Sequence, residues 1–149
     1  MTGLDLSAPY LDVARHRLAA WSRVELVEGM AEAISAPAAA FDIVTALYLL
    51  HELPGHIRCA VAGEIRRVLK PGGTLILVDS LQTGDEPDYD ALLDYFPHAF
   101  HEPYYASYLA TDLNRLIGPG FTPEARSIAY FSKVVTYRRG GLPPTSHNM

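Results

Sequence analysis

The sequence predicts an α/β domain with a mostly parallel sheet and an antiparallel hairpin at its C-terminal edge. Up to residue 79, short apolar segments alternate with amphipathic segments of helical period, in the order β-α-β-loop-β-α-β. Segments 41–47 and 74–79 are mostly apolar, which indicates parallel strands covered on both faces. Residues 121–137 contain two β-rich segments interrupted near Phe131-Ser132, a pattern typical of a hairpin.

The first elements form a strand–helix–strand unit. Residues 3–6 predict a short strand, and Ser7 is a suitable N-cap for a helix that runs to about Ala20. Residues 24–27 predict the next strand, and residues 28–40, with glycine, proline and an alanine run, predict a loop. The buried face of the helix is predicted from apolar residues at helical spacing, which are Tyr10, Leu11, Ala14 and Leu18.

The second helix follows Pro54 and runs to about Leu69, where Lys70-Pro71-Gly72-Gly73 ends it sharply. The single cysteine, Cys59, lies in this apolar helical stretch without a placed base, so we interpret it as a packing residue. The predicted buried face of the helix consists of Ile57, Val61, Ile65, Val68 and Leu69.

The chain becomes polar and turn-rich after the strand 74–79. Thr111 or Asp112 is predicted to cap a short helix that runs through Leu116. We expect one domain over residues 1–139 and a disordered tail over residues 140–149, which contain glycine and proline pairs.

Composition excludes several function classes. The 149 residues are 49% hydrophobic and 19% charged, which is ordinary for a globular domain. A net charge of −5 argues against a nucleic-acid-binding surface, because phosphates attract clustered Lys and Arg. No segment approaches the roughly 18 apolar residues of a membrane span, and the N-terminus lacks signal-peptide features. We therefore expect a cytoplasmic protein that binds neither nucleic acid nor membrane.

Two histidine-containing segments fail the requirements of metal motifs. Residues 51–56 resemble H-E-x-x-H, but the second histidine is one residue too far and Pro54-Gly55 breaks the required helix. Residues 98–102 have helical spacing for two ligands, but prolines bracket them. With one cysteine, no multi-cysteine site can form. We therefore expect no metal.

Four segments, taken in order, form a further pattern. They are GLDLS at 3–7, EGMAE at 28–32, FDIV at 41–44 leading to LHEL at 50–53, and EIRRVLKPGG at 64–73. In this order and at these spacings they resemble the class I S-adenosylmethionine-dependent methyltransferases, over roughly residues 2–138. The resemblance implies a Rossmann-like sheet, S-adenosylmethionine as cofactor and methyl transfer to a small-molecule acceptor.

The resemblance also implies where the cofactor lies. A strand-end carboxylate such as Asp5 can accept hydroxyl hydrogen bonds from a ribose. In the family the loop after the next strand wraps the adenine, and Met30 stands where relatives often carry an acid. Its thioether can pack on the ring, and Ala31 can donate its backbone N–H. The implied cofactor-binding residues are Asp5, Leu6, Met30, Ala31, Glu32, Ala46 and Leu47.

The acceptor is implied to lie beyond the strand 41–47, where Tyr48 and His51 are the expected catalytic residues. A neutral His51 can take a proton from an attacking oxygen or nitrogen. Capping of the following helix is its alternative role. The family varies its substrate-binding cover in the aromatic-rich segment, which suits an apolar or planar molecule. The residues there are His98, His101, Glu102, Tyr104 and Tyr105.

The family's first strand and glycine-rich loop have no counterpart before Gly3. In the family that strand lies between the strand of Asp5 and the strand 41–47. We therefore expect the chain to be unstable alone, to form a homodimer through the exposed sheet region, or to pair these two strands directly. An alternative is a gene start upstream, because relatives often carry valine at the position of Met1 and a valine codon can serve as a bacterial start.

Two other functions stay open. The missing cofactor loop favours a catalytically inactive methyltransferase-like remnant or a partner-binding module, which a cofactor-binding test would reveal. Asp5 would also fit the ribose of a nicotinamide-dependent dehydrogenase. Against that reading, the chain has no G-x-G-x-x-G, and Tyr130-Phe131-Ser132-Lys133 lacks the spacing of Tyr-x-x-x-Lys.

Overall fold

The computed structural model describes residues 1–141, so most of the predicted disordered tail lies outside the described residues. None of the helices in this range is long and apolar enough to cross a membrane. The strands are β1 (Thr2–Asp5), β2 (Glu25–Glu28), β3 (Phe41–Leu47), β4 (Leu69–Ser80), β5 (Phe121–Ala129) and β6 (Ser132–Arg139). The helices are α1 (Ala8–Arg17), α2 (Gly55–Val68), α3 (Asp90–Phe100), α4 (Tyr105–Leu109) and α5 (Leu113–Ile117), with 3-10 turns at Leu50–Glu52 and Pro87–Tyr89.

The strands form two sheets. β1 and β2 pair in parallel, with Thr2 opposite Glu25 and Asp5 opposite Glu28. The other four strands form a sheet in the order β3-β4-β6-β5, in which β3 and β4 are parallel and β6 is antiparallel to both neighbours. The mixed α/β sheet with an antiparallel hairpin at its edge is confirmed. The alternative that β1 and β3 pair directly is wrong, because β2 is the only strand paired with β1 within residues 1–141.

The loop between β2 and β3 is attached to α2. The backbone N–H of Ile34 donates to the Glu64 carboxylate at 2.8 Å. Arg67 donates to the carbonyl oxygens of Ile34 at 2.8 Å and Ala36 at 2.6 Å, and its guanidinium also bonds Glu64. Backbone groups of the loop therefore have hydrogen-bond partners on α2. These bonds connect the loop that follows the two-stranded sheet to the rest of the domain, although the two sheets share no strand pairing.

The main core lies between α2 and the four-stranded sheet. Leu75 and Leu77 of β4 are 0% and 2% exposed, and their cross-strand partners Tyr137 and Val135 are also buried. Burial of one such side chain contributes about 1.5–3 kcal/mol. The predicted face of α2 is confirmed for its residues Val61, Ile65 and Val68 and for the adjoining Leu69, while Ile57 is partly buried against the same core.

Arg58 is a buried cation, 1% exposed, that joins α2 to α4. Its Nε donates to the Leu53 carbonyl at 2.9 Å, Nη1 to Thr111 Oγ1 at 2.6 Å and Nη2 to the Tyr104 carbonyl at 3.3 Å. Nη2 also donates to Ser107 Oγ. Burial lowers the pKa of this guanidinium. Its hydrogen-bond partners are all neutral, so the charge is stabilised by oriented dipoles.

Two predicted packing residues face solvent. Tyr10 of α1 is 71% exposed, because the next residue, Leu11, lies about 100° further round the helix and occupies the buried position at 2% exposure. Cys59 is exposed for the same reason, since its neighbour Arg58 takes the buried position in α2. α1 also ends at Arg17, before the predicted end.

One face of β3 is uncovered. Ile43 and Leu47 are 59% and 61% exposed, whereas Ala46, on the opposite face, is 7% exposed. The prediction that this strand is covered on both faces is therefore wrong, because α2 packs only against the face that carries Ala46.

The segment Lys70-Pro71-Gly72-Gly73 ends α2 as predicted, but it belongs to β4. Leu69 pairs with Phe41, and the regular ladder resumes with Thr74 opposite Ile43, so the segment forms an irregularity in the strand. Gly72 has a φ of 78°, a left-handed conformation that favours glycine.

Candidate functional site

The candidate site lies at the carboxyl ends of the parallel strands β3 and β4, where ligands bind in open α/β sheets. Tyr48 directly follows β3, and the turn Leu50–Glu52 carries His51. Asp79 is the penultimate residue of β4. Because parallel neighbours end at the same edge of a sheet, the side chains of Tyr48, His51 and Asp79 are brought together there.

Asp79 organises this edge. Its carboxylate is 2% exposed and accepts the backbone N–H of Leu50 on Oδ2 and of Ser80 on Oδ1, both at 2.8 Å. Its Oδ1 also lies 2.5 Å from His51 Nδ1. A buried carboxylate with these three partners fixes the turn against the end of β4. Our sequence reasoning missed Asp79, although an acid at the end of the apolar run 74–79 is a signal that could have found it.

The contact with Asp79 determines how His51 can act. Because Asp79 accepts from Nδ1, a neutral His51 carries its proton on Nδ1 and a lone pair on Nε2. Burial lowers the pKa of His51, but the hydrogen bond and charge of Asp79, with the charges of Glu52 and Glu102, outweigh it and raise the pKa above its ordinary value. Above that pKa, Nε2 can take a proton from a hydroxyl or amine.

Tyr48 is held in an uncommon conformation. Its φ is 48°, the left-handed region that a tyrosine rarely occupies. The backbone N–H still donates to the Val78 carbonyl at 2.7 Å, and the hydroxyl lies 2.8 Å from Ser132 Oγ. These bonds at both ends of the residue hold the ring beside His51 at the end of the sheet.

Three tyrosine rings surround His51. The centroid of the His51 ring lies 6.5 Å from that of Tyr48, 5.8 Å from Tyr105 and 6.1 Å from Tyr108, each in an edge-to-face arrangement. Tyr105 is 3% exposed, and burial raises the pKa of its hydroxyl. The rings make an apolar wall that limits water around the histidine.

The predicted substrate-binding residues divide into two groups. Tyr105 lies beside His51, and the charge of Glu102 acts on both rings. His101 and Tyr104 are exposed, and the Tyr104 carbonyl is engaged by Arg58. His98 is exposed on α3 and lines a separate concavity of about 380 Å³ that does not include His51.

The predicted ribose ligand, Asp5, is exposed at the carboxyl end of β1. Its Oδ1 accepts the backbone N–H of Ser7 at 2.7 Å. The N–H of Gly29 donates to the Asp5 carbonyl at 3.0 Å, so the loop after β2 begins beside it. Leu6 and Met30 are 64% and 52% exposed. An accessible carboxylate next to exposed apolar side chains suits the ribose and base of a nucleoside.

The remaining predicted cofactor residues differ in exposure. Ala31 and Glu32 are half-buried, and Ala31 packs against the main core. Ala46 belongs to that core, so only its backbone could reach a ligand. Leu47 is largely exposed on the opposite face of β3.

A protein-family model and curated relatives match the N-terminal part of the chain. Residues 1–73 match a family model described as "Methyltransferase domain". The chain is 34% identical over 80 residues to the demethylmenaquinone methyltransferase of Bacillus licheniformis, covering 54% of this chain and 34% of that protein. It is 39% identical over 84 residues to the enzyme of the same name from Listeria welshimeri, covering 55% and 35%. The matched part thus spans about a third of the length of these relatives.

Solved structures show the same fold over nearly the whole chain. A Pyrococcus horikoshii protein superposes with a TM-score of 0.70 at 22% identity, covering 93% of this chain and 71% of that one. A Methanosarcina mazei S-adenosylmethionine-dependent methyltransferase superposes with a TM-score of 0.69 at 15% identity, covering 95% and 82%. Residues 1–73 are therefore similar to the methyltransferase domain family, and the chain has the Rossmann-like fold of solved S-adenosylmethionine-dependent methyltransferases.

Proposed function

We propose that the protein transfers a methyl group from S-adenosylmethionine to an oxygen or nitrogen of a small-molecule acceptor, with His51 as the group that takes the acceptor's proton. The observation that carries this proposal is the 2.5 Å contact between His51 Nδ1 and the buried Asp79. A histidine that only capped a helix would need no buried carboxylate behind it.

The cofactor would lie against the exposed ends of β1 and β2. Asp5 would hold the ribose hydroxyls, and Met30 with Leu6 would pack on the adenosine, because these side chains are accessible and the Gly29 N–H bonds the Asp5 carbonyl. Ala31, Glu32 and the backbone of Ala46 and Leu47 are the further contacts that we propose. When bound, S-adenosylmethionine supplies an activated methyl group, so the protein chiefly has to position the acceptor and manage its proton.

The residues around His51 have separate tasks in this proposal. Asp79 keeps the proton of neutral His51 on Nδ1 and stabilises the positive charge that develops when Nε2 is protonated. Tyr48 and Tyr105 limit water at the reacting atom. The curated relatives are named demethylmenaquinone methyltransferases, which supports a small-molecule acceptor.

Cofactor binding tests the first half of the proposal. Isothermal titration with S-adenosylmethionine and S-adenosylhomocysteine should show binding that weakens about tenfold or more in Asp5→Ala, since a lost charged hydrogen bond costs about 1.5–3 kcal/mol. Asp12→Ala is the matched control, because Asp12 is an exposed acid of α1 whose partner is Arg15. If the chain binds neither compound, the proposal fails, and an inactive remnant or partner-binding module becomes the better reading.

The pH dependence of methyl transfer tests the second half. With any acceptor found by screening hydroxyl and amine compounds, the rate should rise with pH as His51 loses its proton. His51→Gln should abolish this rise and lower kcat by about 10²–10⁴-fold, whereas His16→Gln, an exposed histidine of α1, should change neither. A His51→Gln protein with the full wild-type rate would refute the role of His51.

A further inference from the structure

The charged groups that act on His51 are carboxylates on three different segments. Asp79 lies at the end of β4, and Glu52 Oε1 lies 3.3 Å from Nε2 in the turn after β3. Glu102 precedes α4, and its carbonyl accepts the N–H of Tyr105, whose ring lies beside His51. The aromatic rings beside it belong to Tyr48, Tyr105 and Tyr108. The surroundings of the proposed base are therefore both anionic and aromatic.

A buried cation, Arg58, lies behind this wall, where its charge also interacts with that of Asp79. The guanidinium of Arg58 lies 5.9 Å from the centroid of the Tyr108 ring, which separates it from the histidine. Its donors are directed to Leu53, Tyr104, Ser107 and Thr111. Arg58 therefore holds the wall in place and offers no donor to an acceptor.

We propose that Glu52 and Glu102 set the charge class of the methyl acceptor, so that the site takes cationic or neutral acceptors, such as amines and phenols, and rejects anionic ones. This inference rests on the proposed function, because it concerns the acceptor of the same site. It goes beyond methyl transfer as such, which makes no demand on the charge of the acceptor.

The physical reason is that the electrostatic interaction of an acceptor with these carboxylates depends on the acceptor's own charge. An acceptor with an ammonium group gains from both carboxylates and from the exposed ring of Tyr48. An acceptor with a carboxylate would sit among like charges, which oppose its binding. Glu52 and Glu102 are accessible enough to meet a ligand, whereas Asp79 is saturated by its own partners.

Three phenols of similar size but different charge provide the test. Tyramine is cationic, 4-ethylphenol is neutral and 4-hydroxyphenylacetate is anionic at pH 7. Titration followed by NMR, with the His51 ring signals as the local reporter, needs no cofactor and no turnover. We expect tyramine to bind at least about tenfold more tightly than 4-hydroxyphenylacetate, with 4-ethylphenol between them.

Variants assign the preference to the two glutamates. In the double variant Glu52→Gln/Glu102→Gln, the ratio of the dissociation constants of 4-hydroxyphenylacetate and tyramine should fall toward one. The pKa of His51 measured by NMR should fall as well. Glu124→Gln is the control, since Glu124 pairs with Arg138 on the distant hairpin. The inference is overturned if the anionic probe binds as well as tyramine, if none of the three binds, or if the ratio survives the double substitution. Failure of the proposed function would instead show as absent cofactor binding.

Discussion

The two sheets of the molecule are built in different ways. The β1–α1–β2 unit has no fully buried residue in either strand, and Leu11 of α1 is its buried side chain within the described range. In contrast, the four-stranded sheet and α2 share a core in which Val61, Leu69 and Leu75 are 0% exposed. The predicted cofactor residues are mostly on the first unit, and the His51–Asp79 pair is on the second.

This difference in burial means that the candidate residues of the two sheets are positioned in different ways. His51 is positioned by packing and by a buried carboxylate, so its geometry is set before any ligand arrives. Asp5 and Met30 are exposed strand-end and loop residues, whose positions depend on a small unit with little buried surface. The acid–base half of the proposed site should therefore be the more rigid and the more stable half.

The largest expected effect tests the contrast in stability. Leu77→Ala in the main core should destabilise the protein by about 2–5 kcal/mol, because it removes a fully buried side chain and leaves a cavity. The same substitution at Leu4, which is half-buried in β1, should cost about 1 kcal/mol, in proportion to its smaller buried area. Chemical denaturation measures both. Equal losses would mean that the two sheets share one core.

The next effect concerns the buried cation. Arg58→Met should destabilise the protein by about 1–3 kcal/mol, because the Leu53 carbonyl loses its donor. Amide exchange at Tyr108, whose N–H bonds the Tyr104 carbonyl, should become faster. Arg15→Met is the matched control on the exposed surface of α1 and should cost about 0.5 kcal/mol or less. A stable Arg58→Met protein would show that α4 is held by its apolar contacts alone.

A smaller effect should appear in the pH dependence of stability. The folded-state pKa of His51 is raised, so the stabilisation from its pairing with Asp79 is fully present below about pH 6.5 and is lost as pH rises through the folded pKa. The difference in free energy of unfolding between wild type and His51→Gln should therefore decline as pH rises. His16→Gln should show no such decline. A difference that grows with pH would contradict the raised pKa.

The smallest effect is local. Glu64→Gln should weaken the link between α2 and the loop before β3, because the Arg67 guanidinium lowers the pKa of Glu64 and the same carboxylate accepts the Ile34 N–H. Hydrogen exchange at the Ile34 amide should become faster while global stability changes little. Glu32→Gln, a change in the same loop, serves as the control. Unchanged exchange at Ile34 would show that Arg67 alone holds the loop.

Much of the fold could be predicted because its signals are local. The hydroxyl of Ser7 accepts the Tyr10 N–H and caps α1, and the carboxylate of Asp112 accepts the Arg115 N–H and caps α5. The apolar run 41–47 forms β3, and the hairpin turn falls between Ala129 and Ser132 as expected. Each of these features depends on residues within a few positions of one another.

The errors arose where one residue's surroundings depend on a distant element. Tyr10 and Cys59 lie in correctly predicted helices, but their exposure depends on which side of the helix meets a sheet. Ile43 and Leu47 are apolar and exposed because α2 packs on the other face of β3. Hydrophobic patterns identify an element, and packing decides how much of it is covered.

The sequence by itself determined the order and type of the elements as far as β4 and from α5 onward, but not the helices α3 and α4, and it pointed to Asp5, Tyr48 and His51 as functional candidates. Only the tertiary structure joined His51 to Asp79, placed Glu52 and Glu102 around them, and left His98 at a separate concavity. The physical reason is that His51 and Asp79 are 28 positions apart. They meet only because β3 and β4 pair in parallel, with Leu47 opposite Val78, and no local pattern encodes that register.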